Sequence, residues 1–205
     1  MRAARSVPAK RRIGLLGGSF NPAHAGHVHI SHEAMKRLGL DEIWWLVSPH
    51  NPLKKKDDLA DYATRLQHAK QLTAHTRIRV MDVEQREGLQ YSIDTIRYLI
   101  RHHRRTQFVW LMGADNLAGF HRWRAWRRIA ALLPIAVLDR APDALRALHG
   151  RFARQFRTRR LSATQARELA TTPRPAWVYL SIPRHPQSAT QLRKTLGRAA
   201  FLVHN

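Results

Sequence analysis

Apolar residues recur along the chain in two rhythms. Unbroken apolar runs stand at 13–16, 43–47, 108–112 and 135–138, a further run at 177–182 is interrupted only by Ser181, and 77–83 alternates through Ile78, Val80, Met81 and Val83. Runs of this length predict strands, the unbroken ones buried on both faces. Stretches with helical spacing lie between them. Residues 26–38 carry Val28, Ile30, Ala34, Met35 and Leu38 on one face, with Gly39 as a stop. Helices are also predicted over 62–72, from an N-cap at Ser92 to about His103, over 123–133 and over 187–196, and the basic stretch 143–160 reads as a helix or a helix plus loop. Strands alternating with helices predict a parallel sheet wrapped by crossover helices. Sites in such sheets lie outside the carboxyl ends of the strands. The segments after Leu16, Val47, Val83 and Met112 therefore matter most, while 140–176 has the least regular pattern.

Composition narrows the class. The 205 residues are 44% hydrophobic and include 6 Trp, 4 Tyr and 6 Phe, enough for one packed domain and against disorder. With 10 Gly and 10 Pro the chain is neither collagen-like nor of low complexity. Cys is 0, which removes disulfides, thiolate ligands and Cys nucleophiles, and fits a reducing, cytoplasmic setting. Residues 1–11 are basic and lack an apolar core, so they read as a flexible tail and not a secretory signal, ahead of a single domain at 12–205. The net charge of +22 favours anionic partners. It comes from 29 Arg and 7 Lys, an arginine excess that a GC-rich genome produces without any function behind it.

The first strand opens into Gly17-Gly18-Ser19-Phe20-Asn21-Pro22-Ala23-His24-Ala25-Gly26-His27. Two glycines let a backbone approach a ligand closely. The segment feeds a helix N-terminus, where free N–H groups and the dipole favour phosphate. His24 and His27, one helical turn apart, can project together there and donate to phosphoryl oxygens. No Gly-Lys-Ser/Thr follows, so this is not a Walker loop, and the G-x-G-x-x-G spacing is absent. His29 and His32 extend the histidine tract, but without an added carboxylate they are expected on an exposed helix face and not around a transition metal.

This segment resembles the glycine turn and H-x-G-H signature of the nucleotidyltransferase superfamily. Four further segments narrow the resemblance to the bacterial nicotinate-nucleotide adenylyltransferases: Pro49-His50-Asn51-Pro52-Leu53-Lys54, Tyr91-Ser92-Ile93-Asp94-Thr95, Gly113-Ala114-Asp115-Asn116-Leu117 with Trp123 and Trp126 following, and Ser188-Ala189-Thr190-Gln191-Leu192-Arg193. Together they cover roughly 12–198 in order. The resemblance implies a Rossmann-like, doubly wound, mainly parallel sheet with helices on both faces and a small C-terminal helical part. It implies transfer of the adenylyl group of ATP to nicotinate mononucleotide, releasing pyrophosphate, with Mg²⁺ held by ATP phosphates and water and no metal held by the protein.

The resemblance also assigns roles. His24, His27 and Arg193 would be catalytic contacts to the ATP phosphates. Gly17, Gly18, Ser19, Phe20, Lys54, Ser188 and Thr190 would bind ATP or its phosphates. Thr95, Gly113, Asp115 and Trp123 would frame the ribose and pyridine, with Thr95 and nearby backbone N–H groups meeting the nicotinate carboxylate. Two departures stand out: Gln187 and Ala189 alter the C-terminal motif, and Asn21 replaces the Asp of many members. Alternatives remain. A related enzyme would use nicotinamide mononucleotide or phosphopantetheine. A basic nucleic-acid-binding protein would bind polynucleotide with a steep salt dependence, although no recognisable nucleic-acid module is present. No membrane partner is expected, and the oligomeric state is open.

Overall fold

A computed structural model describes residues 10–49, 59–139, 144–183, 185–187 and 192. Seven parallel strands form one sheet in the order β3-β2-β1-β4-β5-β7-β6. They are β1 (Arg11–Gly18), β2 (Glu42–Val47), β3 (Ile78–Met81), β4 (Thr106–Gly113), β5 (Ile135–Asp139), β6 (Arg160–Leu161) and β7 (Trp177–Ser181). The helices are α1 (Ala25–Leu38), α2 (Tyr62–Leu72), α3 (Val83–Arg86), α4 (Ser92–His102), α5 (Ala114–Gly119), α6 (Trp126–Leu132) and α7 (Arg151–Gln155). The chain steps from β1 outward to β3 on one side, then returns to place β4 on the other side of β1. The order therefore reverses between β1 and β4, and a crevice opens at their carboxyl ends.

The apolar runs bury both faces because their residues alternate. Phe108, Trp110 and Met112 join Ile13, Leu15, Trp44 and Leu46 in a core with α4, α5 and α6. Val109 and Leu111 join Leu16, Ile43, Trp45 and Val47 in a second core against α1. The adjacent Trp44 and Trp45 thus serve opposite layers. Among the described residues no helix is long and apolar enough to cross a membrane.

Several expectations are corrected by local geometry. β1 does not stop at Leu16 but runs through both glycines, pairing Gly17 with Leu46 and Gly18 with Val47. It also begins at Arg11, which pairs with Thr106 and bonds Glu42 at 2.6 Å, so Arg11 belongs to the sheet and not to the tail. β3 ends at Met81, because Asp82 caps the short α3 and Val83 turns into a helix. Ser92 is the first residue of α4; Tyr91, extended and without a side-chain bond, is its cap. α6 starts late because Phe120–Arg122 forms a 3-10 turn and Ala125 takes a left-handed φ of 53°.

The basic stretch is not one helix. It breaks into a 3-10 segment at Ala144–His149, α7, a 3-10 turn at Arg157–Arg159 and β6, with a further 3-10 segment at Ala163–Glu168. Aromatic packing fixes these pieces: Phe152 meets Phe120, Trp126 and Trp177, and Trp177 donates through Nε1 to the Phe156 carbonyl at 2.8 Å. The predicted helix at 187–196 lies outside the described residues apart from Gln187 and Leu192, the latter helical.

Gly14 is demanded by space. A Cβ there would stand 2.6 Å from Ile43, 2.8 Å from Leu111 and 2.9 Å from Leu40. Gly14→Ala is expected to cost about 1–3 kcal/mol by overpacking. Denaturant unfolding checks this, and an unchanged midpoint would contradict it.

Candidate active site

The turn after β1 is built from close approaches. Gly17 and Gly18 need no positive φ. What they need is room: a Cβ on Gly17 would lie 3.2 Å from the Trp110 ring, and one on Gly18 would lie 3.3 Å from Phe20. Phe20 takes a φ of 44°, in the left-handed region that favours glycine. Its ring, 2% exposed, stacks on Trp45 at 4.7 Å and tilts against His27 at 5.0 Å. Phe20 therefore orients His27 through packing, and its ring is not available as a ligand platform. Asn21 is buried and accepts the Ala60 N–H through Oδ1 at 3.0 Å. An Asp would accept the same bond, so the Asn leaves this contact intact.

His24 caps α1 in an extended conformation, and its N–H donates to His27 Nδ1 at 3.3 Å. That bond assigns the proton of a neutral His27 to Nε2, the donor that a phosphate oxygen requires. The two imidazoles lie 3.9 Å apart between centroids. From below, Trp45 Nε1 donates to Ser31 Oγ, and the Ser31 hydroxyl donates to the His27 carbonyl, both at 2.9 Å. No acid stands in the first turn of α1, so its dipole stays uncompensated for an anion.

Gly26 is the tightest point of the motif. A Cβ would stand 2.8 Å from the His24 ring and 2.9 Å from the Gln187 carbonyl. Gln187 also accepts the Ala25 N–H through Oε1 at 3.1 Å, and His29 bonds the Pro183 carbonyl at 2.7 Å. Gln187 and Pro183 are thus latched onto α1. His29 serves that latch and is not simply solvent-facing, while His32 is exposed. Among the described residues no three His, Asp or Glu side chains converge as a metal site requires.

The second half of the crevice lies beyond β4. Gly113 closes the strand and caps α5, and Asp115 is exposed in the first turn of α5. Trp123 is half-buried, edge-on to Trp110 at 6.2 Å and to Phe120 at 5.3 Å. Trp110 so bridges Gly17 and Trp123, a link that the sequence pattern alone had not assigned. Trp126, by contrast, is a core residue.

Thr95 is placed differently from the expectation. It is fully buried, and its hydroxyl donates to Glu84 Oε1 at 3.0 Å. That hydroxyl is committed to Glu84 and is not directed at a ligand. Glu84 escaped the sequence reading, because nothing local separates it from its neighbours Asp82 and Glu87. Burial raises its carboxyl above the ordinary range, while the Thr95 and Ser48 hydroxyls pull it down. Lys54, Ser188, Thr190 and Arg193 lie outside the described residues.

Comparison with known proteins fits this geometry. A cytidylyltransferase-like family model matches residues 15–169. A probable nicotinate-nucleotide adenylyltransferase of Methylorubrum extorquens is 48% identical over 89% of this chain and 98% of its own length. One from Bradyrhizobium sp. is 50% identical over 91% of this chain and 97% of its own. The chain belongs to the nicotinate-nucleotide adenylyltransferase family. The fold is shared with a solved Plasmodium falciparum nicotinic acid mononucleotide adenylyltransferase complexed with NaAD, at a TM-score of 0.64 and 15% identity over 90% of this chain and 83% of that one. Within this adenylyltransferase family member, the imidazole pair, the α1 N-terminus and Asp115 all stand at the carboxyl ends of the central strands.

Gly26→Ala is expected to fold and to lose about 10²-fold in turnover, because it displaces His24 and the latched segment. Steady-state kinetics with a melting curve checks this; full activity would show that the motif tolerates a side chain. Glu84 supplies a pH test. Its folded pKa lies above its unfolded one, so the native state holds the proton more firmly. Stability is then lost as pH rises from about 4. Glu84→Gln should flatten that slope in denaturant unfolding, whereas parallel slopes would count against the assignment.

Proposed function

We infer that the protein transfers the adenylyl group of ATP to nicotinate mononucleotide, giving nicotinate adenine dinucleotide and pyrophosphate in NAD biosynthesis. One observation carries this: relatives bearing that name match at 48% and 50% identity over nearly their whole length, and the H-x-G-H imidazoles sit at a helix N-terminus beside the strand-order reversal. The NaAD bound by the Plasmodium falciparum neighbour has the chemistry of this product. The reading places the enzyme in the cytoplasm, where ATP and mononucleotides are at hand.

The nucleophile is the phosphate of the mononucleotide. Its second pKa is near 6, so it is largely ionised at neutral pH and needs no general base. The protein's work is to align that oxygen with the α-phosphorus and to stabilise charge on the leaving pyrophosphate. We assign His27 Nε2–H, His24 and N–H groups of the glycine turn to the phosphates. Arg193, Lys54, Ser188 and Thr190 are assigned to the same oxygens on the strength of their motif positions. Asp115 would accept from ribose hydroxyls, and Trp123 would flank the pyridine. Backbone N–H groups near Gly113 would meet the nicotinate carboxylate. Mg²⁺ bound with ATP would supply neutralisation of phosphate charge, with its ligands expected from phosphate oxygens and water and none assigned to a side chain of this chain.

His27→Ala should lower kcat by about 10²–10³ with little change in the KM for the mononucleotide, since a preorganised donor is lost in the transition state. A folded variant with normal kcat would remove His27 from the mechanism. Pyrophosphate release with ATP and each acceptor tests the substrate. Leaving buried donors facing an amide costs about 1–3 kcal/mol each, so kcat/KM should favour nicotinate over nicotinamide mononucleotide by about 10²-fold. Equal efficiency, or turnover only with phosphopantetheine, would overturn the acceptor.

A further inference from the structure

The helix that follows the second strand carries an arginine in an unusual setting. Arg65 is 1% exposed, and no carboxylate among the described residues lies within ion-pair distance. Its guanidinium is instead satisfied by four backbone carbonyls. Nε donates to Ala60 at 3.0 Å, Nη1 to Ser19 at 2.6 Å and Ser48 at 2.8 Å, and Nη2 to Pro49 at 3.1 Å. The Tyr62 ring lies 5.4 Å from the same group. A rigid planar fork can span several acceptors at once, which a point-charge ammonium cannot.

The acceptors are not scattered. Ser19 is in the turn after β1, and Ser48 and Pro49 follow β2. Ala60, just ahead of α2, acts as a strap to that turn, because its N–H donates to Asn21 Oδ1. Arg65 therefore ties together, from beneath, the two loops that flank one side of the crevice.

The Ser19 bond has a directional consequence. In a trans peptide the C=O and the following N–H point to opposite sides. A Ser19 carbonyl drawn down to the guanidinium turns the Phe20 N–H away from it. No hydrogen bond among the described residues takes that N–H. The strained φ of 44° at Phe20 is the conformation that this peptide orientation accompanies.

We propose that Arg65 is a positioning residue for adenylyl transfer: by holding the Ser19 carbonyl beneath the turn, it presents the Phe20 N–H to a phosphate oxygen of ATP. The proposal rests on the adenylyl-transfer reading for its substrate. It assigns Arg65 no contact with ATP. Its effect comes through one peptide plane and the two loops it fastens.

The test has two arms on the full chain. In the first, the protein is labelled with ¹⁵N-phenylalanine, which marks 6 residues, and titrated with a non-cleavable ATP analogue. The Phe20 amide proton should move downfield on binding; an unmoved Phe20 resonance overturns the proposal without any variant. In the second arm, Arg65→Lys keeps the charge and loses the fork. A tenfold or larger fall in kcat per folded molecule is expected, counted by analogue binding at saturation. The KM for the mononucleotide should stay within about threefold, and the Phe20 shift should be lost. An Arg65→Lys protein that keeps both its kcat and the Phe20 shift overturns the proposal. So does a loss that only follows the folded fraction. Should that variant fail to fold, Asn21→Ser cuts the Ala60 end of the strap and leaves the guanidinium in place. It should lower kcat severalfold, and unchanged kcat counts against the proposal. A Phe20 shift without pyrophosphate release from nicotinate mononucleotide supports the placement of Arg65 and sinks the acceptor, so the two readings fail separately.

Discussion

The connections from β1 and β4 leave in opposite directions, so neither crossover covers the crevice above their carboxyl ends. Parallel strand ends and helix N-termini both present unpaired N–H groups, and an uncovered crevice leaves those groups for a ligand. The chain concentrates its chemistry there. α1 starts at that point without an acid in its first turn, and α5 starts beyond Gly113 on the neighbouring strand. The separation of the two helix N-termini follows from the width of one strand pair. Trp110 is the packing element common to both, since it touches the space above Gly17 and the edge of Trp123.

Within this frame the two imidazoles of the H-x-G-H motif are held by apolar contacts more than by polar ones. Phe20 and Trp45 wedge His27, and Ser31 fixes the backbone below it. Gly26 is required because two groups, an imidazole and the Gln187 carbonyl, occupy the place of a side chain. The unusual Gln187 thereby acquires a structural meaning: its side-chain oxygen takes an N–H at the start of α1.

Charge is distributed with the same logic. Glu42, at the amino end of β2, is paired with Arg11 and Arg79 and serves the sheet margin opposite the crevice. At the carboxyl end, the buried Glu84 is wrapped by hydroxyls, and beside the imidazoles the positive groups are a helix dipole and the buried guanidinium of Arg65. The net charge of +22 says little about this site, because the cation beneath the turn is one of 29 arginines and is set apart only by its burial.

Strand runs, the parallel α/β class, the glycine turn, the H-x-G-H pair and the order of family motifs were legible in the sequence, because period and spacing are local properties of the chain. Tyr62–Leu72 appears at the predicted bounds for that reason. For the stretch 143–160 the sequence left one helix and a helix plus loop open, and aromatic contacts to Trp126 and Trp177, which join residues distant in sequence, decide for the broken form. The same holds for the site. Which hydroxyl is free, which glycine is needed for space, and which arginine lies beneath a turn depend on neighbours brought by other strands. Thr95 meets Glu84 and Arg65 meets Ser19 only after the sheet has formed. Tertiary structure alone decided those roles, since a hydrogen bond is set by distance and direction in space and leaves no period in the sequence.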